Sequence, residues 1–171
     1  MSTATTMRTS TSTRTQTAVY LTDVITGAFS HIVASLGLSA GHLERNWNAI
    51  ETGLMTWIEE GTLTQVSLEF GDRTNPVAIV EIPLQYRYSG SGDAEFVANR
   101  ARLARQMAKI KQIPAGTSYR VVTSHTGAHA DVPGWYYTTA ASRDGLTSYN
   151  LGSLGYGPDA SLSMNYLSRR T

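Results

Sequence analysis

The fold class of this chain is decided by residues 93–113, which read DAEFVANRARLARQMAKIKQI. Asp93 is a favourable N-cap, and apolar residues recur at helical spacing between Phe96 and Ile110. Pro114 ends this pattern. The segment therefore predicts one long amphipathic helix. Because strand patterns lie on both sides of it, we expect this helix to pack across a sheet.

Two strand patterns precede this helix and a third follows it. Residues 66–70 (VSLEF) alternate apolar and polar side chains, and residues 77–88 return after a turn, as in an antiparallel hairpin. Pro83 lacks an N–H, so we expect an edge or a bulge at that point. Residues 119–123 (YRVVT) predict the third strand.

The first third of the chain predicts two helices. Apolar residues are spaced helically over residues 18–36 and again from about residue 39 to Gly61, which ends the second pattern. Trp47 and Trp57 fall on the apolar side of the second helix, where tryptophans are usually core residues. The predicted fold class is α+β, with three helices packed on one face of an antiparallel sheet.

Composition limits the possible classes of function. The chain has 171 residues, a formal net charge of +1 and no cysteine, so disulfides and thiolate metal sites are excluded. The near-balanced charge does not suggest a nucleic-acid partner. No apolar run approaches the length of a membrane span, so we expect no membrane and a cytoplasmic protein. Residues 1–17 are rich in Ser and Thr and predict a disordered tail.

Two motifs and the basic face of the helix predicted at residues 93–113 could carry chemistry, and none does so convincingly. His125, His129 and Asp131 have a spacing that zinc ligands use on a helix, but Gly127 and Pro133 place them in a loop. The glycine-rich residues 151–157 lack the lysine of a phosphate-binding loop, so a flexible loop is the expectation. No nucleophile–base pair or carboxylate pair appears in the sequence. We therefore expect no metal, no cofactor and no enzymatic activity.

The chain resembles bacterial HORMA domain proteins of CBASS anti-phage operons over roughly residues 18–155. The resemblance rests on the order of the elements, on the tryptophan-bearing second helix that ends at Gly61, and on short segments. These segments are VSLEF at residues 66–70, DVPGW at residues 131–135, DGL at residues 144–146 and LGS at residues 151–153.

The resemblance implies a HORMA-like core at residues 18–134 and a mobile C-terminal safety-belt segment at residues 135–171. In that family the belt closes around a closure-motif peptide, which adds as a strand to the sheet. Carried onto this chain, the expected peptide-binding residues are Tyr119, Val121, Thr123, Trp135, Leu151 and Leu154.

The resemblance also implies two protein partners. The closed form of bacterial relatives binds and activates a CD-NTase-type nucleotidyltransferase that makes a second messenger, and an AAA+ remodelling ATPase takes the complex apart. A basic helix face with Arg102, Arg105 and Lys109 is the hypothetical surface for the nucleotidyltransferase. The N-terminal tail, with Arg8 and Arg14, is the expected handle for the ATPase.

Two other classes of function stay open from the sequence. The Thr-rich N-terminal arm and the Tyr/Gly-rich C-terminal end would also suit a structural or assembly protein. A small metal-dependent hydrolase would use His125, His129 and Asp131, and is the weaker alternative because no general base accompanies them.

Overall fold

The computed structural model describes residues 2–86, 97–98, 100–108, 113–157 and 160–169. Helices and strands follow one another in the order α1 (Ser2–Ser35), α2 (Gly41–Arg45), α3 (Trp47–Glu60), β1 (Leu63–Gly71), β2 (Pro76–Tyr86), β3 (Val97–Ala98), α4 (Arg100–Met107), β4 (Tyr119–His125), β5 (Leu146–Tyr156) and β6 (Ala160–Arg169). The α+β fold class predicted from the sequence is confirmed.

The strands form one antiparallel sheet in the order β3-β5-β6-β2-β1-β4. The β1–β2 hairpin lies between β4 and the β5–β6 hairpin, and β6 pairs with β2. The flexible loop predicted for residues 151–157 is wrong, because most of these residues belong to β5. Register shifts interrupt β5 around Gly152 and Gly155, which is how glycine is accommodated inside a strand.

Pro83 lies inside the sheet rather than at its edge. It is paired with Gln65 of β1, while the β2–β6 pairing passes from Glu81 directly to Leu84. The missing N–H of proline therefore coincides with a gap in the β2–β6 ladder, but the register is the same on both sides of this gap, so the residue lies at neither the predicted edge nor the predicted bulge.

The helices cover one face of the sheet, and we call this the helix face. α1 packs on α3, and both contribute to a core shared with the sheet. Trp57 is only 2% exposed, as predicted for a core tryptophan. Gly61 ends α3 in the left-handed conformation with φ 80°, also as predicted. The predicted second helix is divided at Asn46 into α2 and α3.

The helix predicted for residues 93–113 is shorter than expected. α4 spans Arg100–Met107, and Val97–Ala98 pairs as a strand with Tyr156 and Gly155 of β5. Tertiary pairing thus overrides helical periodicity at this point. The predicted N-cap Asp93, together with Phe96 and Ile110, lies outside the described residues.

The first helix extends further towards the N-terminus than predicted. α1 begins at Ser2, although residues 1–17 were expected to be disordered. Thr15 Oγ1 donates a hydrogen bond to Glu59 Oε1 at 3.1 Å, and Thr17 is buried. Extending an existing helix requires only propagation and no new nucleus, so even a Ser/Thr-rich segment can continue it.

Among the described residues, one helix segment, Arg14–Ser35, is long and apolar enough to cross a membrane by length and composition. This corrects the expectation that no apolar run approaches that length. Many of its apolar side chains, including Leu21, Ile25 and Phe29, are buried against the rest of the fold, whereas Val19 is exposed. The segment therefore has the burial of a core helix.

Candidate functional site

The outer edge of β4 is an open edge of the sheet. β4 is the last strand in the sheet order and pairs with β1. The Ser118 carbonyl accepts a hydrogen bond from the Gly71 N–H at 2.8 Å. Because bonding alternates along an antiparallel pair, Tyr119, Val121 and Thr123 direct their backbone groups away from β1. In the described parts of the chain no strand pairs with these groups, so the edge can accept a further strand.

The side chains of these three β4 residues point to the helix face. In the β1–β4 register, Tyr119 lies opposite Phe70, and their ring centroids are 6.1 Å apart. The Tyr119 hydroxyl donates a hydrogen bond to the Ser39 carbonyl at 2.5 Å, and burial raises the pKa of Tyr119. Val121 packs against the core. The open edge is therefore rigidly backed by the core of the domain.

A loop at residues 126–145, which we call the crossing loop, passes around this open edge. It connects β4 at one end of the sheet with β5 near the other end. On the helix face it contacts α3 through Trp135, and on the opposite face Thr138 and Thr139 contact Arg120. A strand added to β4 would thus be enclosed between the sheet edge and the crossing loop.

Two tryptophans hold the crossing loop against α3. Trp135 Nε1 donates a hydrogen bond to the Ala49 carbonyl at 2.6 Å, and Trp57 Nε1 donates one to the Ala130 carbonyl at 2.7 Å. The two indole rings meet edge to face with centroids 5.0 Å apart. A Cβ atom at Gly53 would lie 2.8 Å from Trp135 Cε2. The absence of a side chain at Gly53 therefore makes room for Trp135.

A cavity lies between β4, α3 and the crossing loop, and we call it the ring pocket. Its lining includes Asp131, neighbouring residues of β4 and the loop, and six aromatic or imidazole rings, which belong to Trp57, His125, His129, Trp135, Tyr136 and Tyr137. The His125 and His129 rings stack with centroids 3.7 Å apart and an interplanar angle of 19°. The His125 ring also meets the Trp57 ring edge to face at 4.6 Å.

His125 is neutral at physiological pH. Burial and the neighbouring His129 lower its pKa to about 4, and Glu60 opposes this shift only in part. Its Nε2 lies 3.0 Å from Thr123 Oγ1, while its buried Nδ1 has no hydrogen-bond partner among the described residues. The part of the pocket wall that His125 forms therefore carries little positive charge.

The residues His125, His129 and Asp131, whose spacing alone would allow metal ligation, are not arranged as a metal centre. The stacked rings of His125 and His129 lie face to face. Asp131 is exposed and accepts a hydrogen bond from the Tyr137 hydroxyl at 3.3 Å. Within the described ranges, no group of three or more His, Asp or Glu side chains is placed to hold an ion.

On the face opposite the helices, a charged cluster fastens the crossing loop to the sheet. We call it the clasp, and it consists of Glu69, Glu81, Arg120 and Arg143. Glu69 is 2% exposed and accepts hydrogen bonds from Arg120 at 2.8 Å and Arg143 at 3.2 Å. Arg143 also forms an ion pair with Glu81 at 3.0 Å.

The clasp also binds the backbone of the crossing loop. The Ala141 N–H donates to Glu69 Oε2 at 2.9 Å, and Arg143 donates to the Ala141 carbonyl at 2.7 Å. Arg120 donates to the Thr139 carbonyl at 2.7 Å. The buried carboxylate of Glu69 thus organises both arginines and the loop segment that carries one of them.

The predicted peptide-binding residues are not all in one place. Tyr119, Val121 and Thr123 lie on the open edge, and Trp135 lies on the crossing loop beside it. Leu151 and Leu154 lie on β5 and are buried in the core. The sheet order places β6, β2 and β1 between β5 and β4, so the structure does not bring these two leucines to the open edge.

The other predicted residues lie on α4 and α1. Arg102 and Arg105 are exposed on α4, and the Arg102 guanidinium lies close over the backbone of Gly152. Lys109 falls outside the described residues. Arg8 and Arg14 lie within α1, and the Arg14 side chain is exposed.

Sequence reasoning missed Gly53, Glu69 and Arg143. Gly53 sits inside a helix pattern, where an interior glycine is unfavourable and usually has a packing reason, so a signal was present. Alternation in β1 places Glu69 on the face away from the helices, where solvent exposure is the ordinary expectation. Nothing in the sequence shows that the crossing loop brings Arg143 over that face.

A comparison with known protein families finds a match to this chain. The profile of the family described as "Bacterial HORMA domain 2" matches residues 4–170. A comparison with curated proteins gives no significant match.

Solved structures share this fold at low sequence identity. A chain of the mitotic checkpoint complex superposes with a TM-score of 0.71 at 10% identity, covering 88% of this chain and 97% of its own length. C. elegans HTP-2 bound to the HIM-3 closure motif gives 0.65 at 12% identity, covering 88% and 89%. A chain of the E. coli MS115-1 HORMA:CdnC:Trip13 complex gives 0.63 at 14% identity, covering 92% and 89%.

The family match spans nearly the whole chain, and the solved structures share its fold. The chain therefore belongs to the bacterial HORMA domain family described as Bacterial HORMA domain 2.

Proposed function

We propose that this chain is a cytoplasmic, non-enzymatic signalling adaptor that binds a closure-motif peptide along the outer edge of β4. The observation that carries the proposal is the open edge formed by Tyr119, Val121 and Thr123, with the crossing loop passing around it. An added strand would gain backbone hydrogen bonds from β4 and side-chain contacts from the loop. HTP-2, which has the same fold, is bound to a closure motif in its structure.

The crossing loop gives this binding a two-state character. The loop makes contacts on both faces of the sheet, so a bound peptide can leave its enclosure only when these contacts open. A peptide that binds the closed arrangement more tightly shifts the population by no more than that difference in affinity. The belt, at residues 135–171, is the segment that we propose to move.

The proposed partners of the closed form are a CD-NTase-type nucleotidyltransferase, which it would activate in anti-phage signalling, and an AAA+ remodelling ATPase. The fold is shared with a chain of a HORMA:CdnC:Trip13 complex, which contains components of this kind. The N-terminal part of α1, with Arg8 and Arg14, is the proposed handle for the ATPase. No feature of the described residues favours the assembly protein or the metal-dependent hydrolase.

Replacing Val121 by proline tests the open edge directly. The Val121 N–H faces away from β1, so proline removes one donor from the proposed peptide ladder and leaves the β1–β4 bonds in place. Leaving a peptide carbonyl without its donor costs about 1–3 kcal/mol, so we expect affinity to fall about tenfold or more. The probe is a peptide selected by display on the full chain, and the measurement is calorimetry.

Val121→Ala is the matched control, because it trims the same side chain but keeps the N–H. N-methylation along the peptide adds a test that leaves the protein unchanged. Binding should be lost at every second peptide residue, which is the alternation expected of a β-strand. Equal tolerance at all positions, together with wild-type affinity of Val121→Pro, would contradict the edge-strand proposal.

The exposed arginines of α4 are the proposed surface for the nucleotidyltransferase. We expect Arg105→Glu to weaken association with that enzyme about tenfold, in a salt-dependent manner, since rim charges act mainly through steering. Binding of the displayed peptide should not change. Arg45→Glu on α2 is the matched charge reversal, because Arg45 is also exposed but lies on another element. Intact association of Arg105→Glu would exclude α4 as the contact.

A further inference from the structure

We infer that the ring pocket selects closure peptides by one basic side chain, a lysine or an arginine, inserted between its aromatic walls. This inference rests on the proposed function, because it assumes a strand on the outer edge of β4. It assigns a chemical class to one position of the peptide.

The walls of the ring pocket offer ring surfaces for such a cation. The indole N–H groups of Trp57 and Trp135 are already bonded to backbone carbonyls. These indoles therefore have no free donor. Trp57 is 2% exposed and lies behind the wall, whereas Trp135 is half-buried and presents its electron-rich ring to the pocket. Tyr137, which is 84% exposed, adds a second accessible ring at the mouth of the pocket. A cation within about 6 Å of such rings gains about 0.5–2 kcal/mol.

The charges around the pocket favour the same ligand. Asp131 is the charged side chain that lines it, and no lysine or arginine is among the described lining residues. Glu60 lies just behind the wall, where it accepts a hydrogen bond from the Ala130 N–H at 3.3 Å. His125 is neutral because burial and His129 lower its pKa to about 4. Arg120 is on the opposite face and is bonded to Glu69.

Other side chains suit this environment less well. An acidic side chain would face the Asp131 carboxylate without a nearby cation to offset it. An aliphatic side chain would displace water from Asp131 and give it no new hydrogen-bond donor. A lysine or arginine supplies donors to the carboxylate and a positive charge to the rings.

The register fixes where the basic residue belongs. The pocket is lined by Val121, Thr123 and His125 of β4. These are every second residue of the strand, and their side chains all point to the helix face. A peptide strand alternates in the same way, so the basic residue occupies one helix-face position near the His125 end of β4. Of the two peptide residues that lie two positions before and after the basic residue, one faces Val121 and the other lies beyond the end of β4.

The test uses peptides selected by display against the full-length chain. We expect the enriched motif to contain Lys or Arg at one position, and replacement of that residue by norleucine or citrulline to weaken binding about tenfold. Asp131→Asn should weaken the basic peptide about fivefold and leave the norleucine peptide unchanged, since only the former uses the carboxylate. Asp144→Asn, at an exposed turn outside the pocket, is the matched control.

The outcomes separate this inference from the proposed function. If an aromatic or aliphatic residue is enriched at that position and Asp131→Asn has no effect, the basic-residue inference is overturned while peptide binding stands. If no linear motif is enriched at all, the proposed function itself fails.

Discussion

Replacing Gly53 by alanine will weaken binding of the closure peptide by about 100-fold, because the crossing loop can no longer dock on α3. The new Cβ would lie 2.8 Å from Trp135 Cε2 and closer still to Trp135 Nε1, and 2.9 Å from Trp57 Cζ3. Real Cβ atoms do not approach other atoms so closely, so one of the two indoles must move. Trp57 is 2% exposed and held by the core, whereas Trp135 is on a loop, so Trp135 yields.

The consequence of that movement is the loss of several contacts at once. Trp135 gives up its hydrogen bond to the Ala49 carbonyl and its edge-to-face contact with Trp57. Removing a large aromatic side chain from its packing site costs about 3–5 kcal/mol, and the peptide loses the wall that this side chain provides. Calorimetric affinity for the displayed peptide is the primary measurement, and a red shift of tryptophan emission reports exposure of the Trp135 ring.

Gly27→Ala is the matched control for this substitution. Gly27 is also an interior helix glycine, but a Cβ there has no neighbour within 4 Å. Alanine at that site should stabilise the protein by about 0.5–1 kcal/mol through helix propensity and leave peptide binding unchanged. Gly53→Ala gains the same propensity, so its loss of affinity isolates the steric effect.

A double-mutant cycle separates loop docking from damage to the core. If Gly53→Ala acts through Trp135, it should add little to the effect of Trp135→Ala, because the clashing ring has already gone. Additive effects of the two substitutions would place the damage at Trp57 instead. Binding of the displayed peptide by Gly53→Ala within about twofold of wild type would refute docking of the crossing loop as a requirement.

The hairpin and the end of α3 were predictable because their signals are local. Alternation over residues 66–70 and the left-handed Gly61 need no partner to be recognised. The start of α4 was not predictable from the sequence, since Val97 and Ala98 follow a helical pattern but pair with β5. β5 itself is held by long-range pairing with β6 across two irregularities, which its glycine-rich sequence does not reveal.

Some residues of the candidate site were likewise predictable from the sequence, and others were not. A strand is predicted at residues 119–123 and is observed at Tyr119–His125, and the resemblance to HORMA domains implies that a peptide binds along it. Leu151 and Leu154 were assigned by that resemblance too, yet the register places them in the core of the other hairpin. The packing of Trp135 against Gly53 joins segments far apart in the chain, and no periodicity links them.

Replacing Glu69 by glutamine will destabilise the protein by about 2–3 kcal/mol and release the crossing loop from the sheet. The substitution keeps the shape of the side chain and removes its charge. Arg120 and Arg143 then lose the carboxylate that both contact, at 2.7 Å and 3.2 Å. Loss of one partner from a fully buried pair costs about 3–5 kcal/mol, and the cost expected here is smaller because each arginine is 31% exposed.

Release of the loop should appear as faster dissociation of the peptide. Glu69 holds the loop directly through the Ala141 N–H and indirectly through Arg143. A bound strand is enclosed by that loop, so weakening the attachment by about 1.4 kcal/mol would raise the dissociation rate about tenfold, with little change in association. Urea unfolding gives the stability, and surface plasmon resonance gives the two rates.

The control is Glu44→Gln, which removes the same charge from an exposed position on α2 and should change stability by less than about 0.5 kcal/mol. A cycle of Glu69→Gln with Arg143→Gln then asks whether the two side chains act together, and we expect a coupling of about 1 kcal/mol or more. Wild-type unfolding and peptide dissociation in Glu69→Gln would show that the clasp does not hold the loop. Glu69 lies on the face of the sheet opposite the ring pocket and the bound peptide side chains, so its substitution does not touch them. Faster dissociation with unchanged association would therefore identify opening of the crossing loop as the step that limits peptide release.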